Sequence, residues 1–375
     1  MRGMSPMAFL LLVAVTSVET RSCSGDTAEI LAPPAGSEPG QVFATDDGVR
    51  FRVETVVSGL EIPVGAGLCT GRTAVCHRAA WARANHRHRS PHVRAGADAG
   101  GCVRPGEAGL LGLALDPAFT SNGLSASVFH GPQPERRCSR TVSAVSESSG
   151  RLLEQVVLLD NIPANTIHDG GRLRFGPDGL LYITTGDAAN EQLAQDLASY
   201  AGKILRINTD GTTPRGNPFS SPIYSHGHRN SQGLDWNPAN GELWASEHGA
   251  TGNDETNVLD GGVNYGWPRI QGAETLPGMR EPITFYNPAI APSGASFYRG
   301  QRLPAVYEQS RSSPRCAASC CCGFESIRPR RAGSSPRSAC SRDSSDVSAT
   351  WSTGSRWLPV YFCTNNRDGR GNPRR

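Results

Sequence analysis

Five short segments of this 375-residue chain carry side chains that could do chemistry. His168 lies in Asn165-Thr-Ile-His-Asp-Gly-Gly171, a turn-rich stretch just ahead of an apolar run. A neutral imidazole on such a loop can accept a proton, and Asp169 beside it could orient the ring. A loop histidine satisfied by backbone is the plainer alternative. His226-Gly-His-Arg-Asn-Ser-Gln-Gly-Leu234 gathers donors in one loop. The planar fork of Arg229 suits a carboxylate or quinone oxygen, and Asn230 and Gln232 add amide contacts. Turn residues capping a strand would read the same way. Ser246-Glu-His-Gly-Ala-Thr-Gly-Asn-Asp-Glu-Thr-Asn257 mixes carboxylates with glycines, and hard oxygen ligands on such a loop suit Ca²⁺, although the spacing is not that of an EF-hand. Asn264-Tyr-Gly-Trp-Pro268 and Asn287-Pro-Ala-Ile-Ala-Pro-Ser-Gly294 are tight turns whose aromatics read first as packing.

These segments sit at regular places in a repeat. Gly109-Leu-Leu-Gly-Leu-Ala-Leu-Asp-Pro-Ala-Phe119, residues 171–186 and residues 232–247 share one pattern, an alternating apolar strand, a turn and a second apolar strand. Gly109, Gly171 and Gly233 are spaced 62 residues apart. A repeat of that size holds several strands and cannot bury its own face without neighbours. The spacing predicts an all-β chain built as a six-bladed β-propeller; a β-sandwich with coincidental hairpins is the alternative. Gly 43 and Pro 27 among the residues exclude a coiled coil or helical solenoid, and 37% hydrophobic against 19% charged residues excludes disorder and a membrane bundle.

Charge and cysteine are concentrated where this pattern stops. Residues 64–104 hold seven Arg against one Asp, and 309–357 hold eight Arg against three acids. Since the whole chain carries only +3, its patterned part is net acidic, and no nucleic-acid surface is expected. Nine of the 11 cysteines, including Cys320, Cys321 and Cys322, fall in stretches without a strand or helix period, so neither a disulfide framework nor a metal knuckle is read from them. His86, His88 and His92 would be a metal cluster on one reading and a disordered insertion on another. The joint surge of Arg, Ser, Cys and His fits a third, a GC-rich gene translated out of frame over 64–104 and 309–357. Lys203, the only lysine, fits the same codon bias.

The N-terminus has the form of a leader. Arg2 precedes an apolar run from Met7 to Val18, too short to span a bilayer but of the length of a secretory apolar core. Residues 1–22 are read as a signal peptide, 23–47 as a linker and 48–375 as the propeller, with blades disrupted near 64–104 and 309–357. Export to the periplasm follows, with Cys23 a weak candidate for a lipid anchor and no transmembrane segment.

Taken in order, Gly106-Glu-Ala-Gly-Leu-Leu-Gly112, Ile167-His-Asp-Gly-Gly-Arg-Leu173, Gly227-His-Arg-Asn-Ser-Gln-Gly-Leu234, Ser246-Glu-His-Gly249, Asn264-Tyr-Gly-Trp-Pro268 and Ala291-Pro-Ser-Gly294 resemble the soluble PQQ-dependent sugar dehydrogenases of the glucose/sorbosone dehydrogenase family. The resemblance covers about residues 48–63, 105–130, 150–308 and 358–373 and implies a six-bladed propeller. It implies oxidation of the anomeric hydroxyl of aldose sugars to lactones, with hydride transfer to PQQ. His168 would be the general base, and Arg229 and Asn230 would hold the quinone and polarise its carbonyl. Glu107 falls where the family places a cofactor contact. The carbonyls of Gly249 and Ala250 would ligate Ca²⁺, and Glu255 and Tyr265 match a calcium site of the aldose dehydrogenase branch. An aldose substrate and a further electron acceptor, which the sequence does not identify, are the partners implied. The family's late basic contacts, a Lys and a Gly-Arg-x-Arg-Asp motif, have no counterpart within 309–357. A non-catalytic propeller and a Ca²⁺-dependent lactonase-like hydrolase are the alternatives.

Overall fold

The computed structural model describes residues 110–122, 124–132, 138–148, 151–292 and 294–297, with side chains through 156–292 and at part of the rest. Elsewhere it gives only the backbone course of short strands. The chain is all-β. Twelve consecutive strands form three four-stranded antiparallel sheets, each paired in chain order. The first is β1 (Leu110–Leu115), β2 (Leu124–Pro132), β3 (Cys138–Ser148) and β4 (Arg151–Pro163). The second is β5 (Gly170–Phe175), β6 (Leu181–Thr185), β7 (Lys203–Ile207) and β8 (Ile223–His226). The third is β9 (Ser231–Trp236), β10 (Leu243–Glu247), β11 (Asp254–Leu259) and β12 (Thr284–Tyr286). A further strand, β13 (Ala295–Ser296), follows.

The three repeated segments fall on the first hairpin of each sheet. In the second, Gly179 at φ 76° closes a tight turn, with Gly179 N–H on the Gly176 carbonyl at 2.9 Å and Gly176 N–H on that of Leu180 at 2.8 Å. Gly241 does the same in the third sheet, donating to the Asn237 carbonyl at 2.7 Å. The first differs from the expected tight turn. There a single helical turn, Phe119–Asn122, joins the strands, and the Asp116 carboxylate accepts from Ala118 N–H at 2.8 Å and the Asn122 amide at 3.0 Å.

Strands β1, β5 and β9, one from each sheet, lie side by side, and β13 lies against β9. Both faces of the middle sheet are therefore covered, which is why its strands read as near-continuous apolar runs. Leu181, Ile183, Leu205, Ile207 and Ile223 pack against Ala126, Val128, Val142 and Ile162 of the first sheet. Tyr182 and Ile204, on the alternate face, pack against Leu234, Leu243, Ala245 and Leu259 of the third. Polar links join β5 to β9 and β9 to the segment at β13. Arg172 and Arg174 donate through Nε to the Gln232 and Leu234 carbonyls at 2.9 and 3.2 Å, and the Asp235 carboxylate accepts from Phe297 N–H at 2.7 Å and Ser296 at 3.0 Å.

The approach of β1 to β5 is close enough to require glycine. A Cβ built on Gly112 would lie 2.0 Å from the Gly171 carbonyl oxygen. Gly112→Ala is expected to destabilise the fold by about 1–3 kcal/mol through overpacking, read as a lowered midpoint of thermal unfolding.

Outside the three sheets, Ala8–Ala14 pairs with Arg50–Leu60 and Val360–Thr364, and Gln41–Ala44 pairs with Arg50–Leu60. Two hairpins, Pro63–Leu68 with Ala74–Arg78 and Ala317–Cys320 with Gly323–Ser326, fall largely in the two arginine-rich stretches. The rest of 64–104 and 309–357, including His86, His88 and His92, lies outside the described residues, as do Cys23 and Glu107. Among the described residues no helix is long and apolar enough to cross a membrane.

Candidate functional site

Antiparallel order brings five connections to one end of the sheets. The entries to β5 (164–169) and β9 (227–230) meet the loop between β6 and β7 (186–202), the loop between β10 and β11 (248–253) and the turn ahead of β13 (287–294). They are laced together by backbone. Asp187 N–H donates to the Arg229 carbonyl at 2.8 Å, Ala188 N–H to that of His168 at 3.2 Å and His248 N–H to that of Asn230 at 3.1 Å. The chemistry-bearing loops singled out above are thus gathered into one place, which is the usual location of a ligand site on such a scaffold.

His168 sits at φ 61°, with its side chain 15% exposed. Its Nδ1 is 2.8 Å from Oδ1 of Asp187. Asp187 is buried, and its carboxylate also accepts from Ala189 N–H at 2.8 Å and the Trp267 indole N–H at 2.9 Å. A carboxylate surrounded by donors makes His168 Nδ1 the protonated nitrogen and leaves the Nε2 lone pair as a base. The residue that orients His168 is therefore Asp187, and the expectation of Asp169 is corrected. Asp169 is turned inward, where Oδ1 accepts from Asn165 N–H at 3.0 Å.

Arg229 and Asn230 come from the entry to β9. The Arg229 guanidinium lies 5.3 Å from the Trp267 ring centroid and donates through Nη1 to the His248 carbonyl at 3.1 Å. Beneath it, the buried Glu247 carboxylate accepts from Arg229 N–H, from His228 Nδ1 at 3.0 Å and from Ser231 at 2.7 Å. Burial alone would raise Glu247, but these hydrogen bonds outweigh it and hold the carboxyl below its ordinary range. His228 is itself buried, bonded to Ser225 at 2.9 Å and stacked on Tyr265 at 4.9 Å. Asn230 is buried, with Oδ1 accepting Gly170 N–H at 3.0 Å. Its Nδ2 has no partner among the described residues, an amide donor set for an acceptor oxygen.

The Gly249–Ala250 loop is pinned by Asp254. Its Oδ1 accepts Gly249 N–H at 2.7 Å, and its Oδ2 accepts Ile290 and Ala291 N–H, each at 2.6 Å. His248 Nε2 adds a 2.6 Å bond to the Pro292 carbonyl. A Cβ on Gly249 would stand 1.9 Å from the Gly252 carbonyl oxygen, so only glycine allows this turn. Glu255 faces Glu247 across the β10–β11 ladder. Burial first, then the Glu247 charge, push its carboxyl up to about 7. Near it the buried Oδ1 of Asn257 has no partner among the described residues. The Tyr265 hydroxyl is already engaged, donating to the Val258 carbonyl at 2.7 Å and accepting Asp260 N–H at 2.8 Å. Tyr265 can therefore meet a cation only through its main chain.

His226 lies at the same end, lining a cavity of about 460 Å³ with Asn264 and Arg280. Burial first, then His228 and Lys203, hold its imidazole down at about 4. The unfolded chain takes up this proton near the ordinary value of 6.5, whereas the native state does so only near 4. Stability contributed by neutral His226 is thus present above pH 6.5 and lost as pH falls through that window. The melting temperature of the wild type is expected to fall more steeply from pH 6.5 to 4 than that of His226→Gln.

The family model for glucose/sorbosone dehydrogenase matches residues 77–310. Quinoprotein glucose dehydrogenase B of Acinetobacter calcoaceticus is 36% identical over 198 residues, 44% of this chain and 41% of the relative. Aldose sugar dehydrogenase YliI of Escherichia coli is 30% identical over 222 residues, 53% of this chain and 60% of the relative. The chain spans about half the length of the curated relatives it matches. The PQQ-bound aldose sugar dehydrogenase of Streptomyces coelicolor shares the fold, with a TM-score of 0.59 at 24% identity over 89% of this chain and 99% of that one.

Proposed function

The chain belongs to the glucose/sorbosone dehydrogenase family, and from that premise we propose that it is a quinoprotein oxidising the anomeric hydroxyl of aldose sugars to lactones, with PQQ and Ca²⁺ as cofactors. The observation that carries the proposal is the meeting of a carboxylate-oriented base, His168–Asp187, with Arg229 and the Asn230 Nδ2, which has no partner among the described residues. PQQ, when bound, supplies the two-electron acceptor. His168 Nε2 takes the proton from the anomeric hydroxyl, and Asp187 stabilises the imidazolium that results. Arg229 and Asn230 would hold the cofactor's oxygens and would offset negative charge there. Glu107 is assigned a further cofactor contact.

The donor set also fits a hard cation. Gly249 and Ala250 would offer main-chain carbonyls from a loop that Asp254 fixes, and Glu255 with the Asn257 Oδ1 and the Tyr265 main chain would form a second site. The three sheets are read as consecutive blades of a six-bladed propeller. Export across the inner membrane is part of the proposal, resting on the Met7–Val18 run.

The test is reduction of an artificial dye by the purified chain with an aldose, PQQ and Ca²⁺. Activity that requires all three supports the proposal. Folded protein that binds no PQQ would make this a non-catalytic propeller, and hydrolysis of a sugar lactone without quinone would make it a hydrolase.

A further inference from the structure

Lys203 is the only lysine among 37 basic residues, and it opens β7 with its side chain fully buried. Nζ donates to the carbonyls of Leu193 at 2.7 Å, Ala194 at 3.1 Å and Ala201 at 2.6 Å. Three converging carbonyls match the three donors of an ammonium, a geometry that a planar guanidinium does not reproduce. Among the described residues no carboxylate pairs with it; Asp196 is the acid that favours its charge, and His226 is the base that feels it. Burial pulls the amine down to about 7.

All three acceptors belong to the 186–202 loop, which carries Asp187. Leu193 and Ala194 end its one helical turn, Glu191–Ala194. The Ala194 carbonyl also receives Gly227 N–H at 3.0 Å, and Gly202 both donates to the Gly186 carbonyl at 2.9 Å and accepts His228 N–H at 3.2 Å. The loop thus touches His168 at one end, through Asp187, and the 227–229 turn at the other. We propose that Lys203 is a positioning residue, whose ammonium fastens this loop so that Asp187 stays on His168 and the 227–229 turn holds Arg229 in place. The role of His168 in sugar oxidation rests on the function proposed above; the coupling of Lys203 to His168 does not.

Because the chain has one lysine, ¹⁵N-lysine labelling gives a single side-chain amine signal. Lys203 Nζ and the His168 imidazole nitrogens, the latter assigned by their loss in His168→Asn, can be followed together by NMR through a pH titration of the cofactor-free wild type. The expected result is an inflection in the His168 signals at the Lys203 midpoint, and its absence overturns the proposal. In the loaded enzyme, Lys203→Met is expected to lower kcat by about 10²-fold and to shift the pH profile of kcat/KM while KM stays nearly unchanged, and Lys203→Arg is expected not to restore it. A variant that loses melting temperature but keeps the wild-type kcat and pH profile overturns it as well. If the variants do not fold, the wild-type titration decides. Coupled signals in a chain without dehydrogenase activity would sustain the positioning role and overturn the proposed function instead.

Discussion

Replacing His168 by asparagine is expected to lower aldose-dependent dye reduction by about 10²–10⁴-fold while the PQQ titration is little changed. Asparagine is the informative substitution because it tolerates the left-handed backbone at φ 61°, where alanine would add strain to the loss of the base. The Asp187 carboxylate, its acceptor role to Ala189 and Trp267 intact, keeps the loop in place. Asp187→Asn should also impair turnover, since its amide can no longer accept from all three of these neighbours. Steady-state kinetics at saturating cofactor would separate the two. An asparagine variant with near wild-type turnover would assign proton removal to another group.

Arg229→Lys is expected to cost about 10²–10³-fold in kcat/KM, the effect of removing one well-placed donor from a developing charge. Lysine keeps the charge but not the fork, so it cannot bond the His248 carbonyl and a cofactor oxygen together or lie flat over Trp267. The fold should hardly notice, because the bonds that Arg229 makes to Glu247 and Asp187 run through its backbone. Parallel melting curves and kinetics check this. Equal losses in stability and rate would mean that the side chain only supports the loop.

Much of the architecture could be read in advance because it is periodic. Glycines spaced by 62 residues mark β5 and β9, and the strand–turn–strand pattern at 171–186 and 232–247 became the hairpins β5–β6 and β9–β10. His168, Arg229 and Asn230 were legible because each immediately precedes an inner strand, and neighbouring inner strands must present those positions at one end. Asp187 escaped because it is 19 residues from its partner and belongs to no local motif. The signal was present in the register all the same. Gly170 pairs with Thr185, so the residues two beyond that pair on either strand, His168 and Asp187, come opposite each other. Proximity in sequence pointed to Asp169, but the tight turn into β5 sends that side chain inward. In the sequence Trp267 reads as packing, whereas its indole N–H serves Asp187 and its face serves Arg229. Lys203 reads in the sequence only as a mark of codon bias, since nothing there reveals three carbonyls converging on one amine.

The central claim is that a sugar's C1 hydrogen and two electrons reach a quinone bound beside His168. It is tested most directly by mixing the PQQ- and Ca²⁺-loaded protein with an aldose in the absence of oxygen and any dye, and recording the quinone absorption. The expected result is conversion to the reduced quinone spectrum within one turnover, slower when the aldose carries deuterium at C1. A bound quinone whose spectrum stays oxidised in saturating aldose would contradict it.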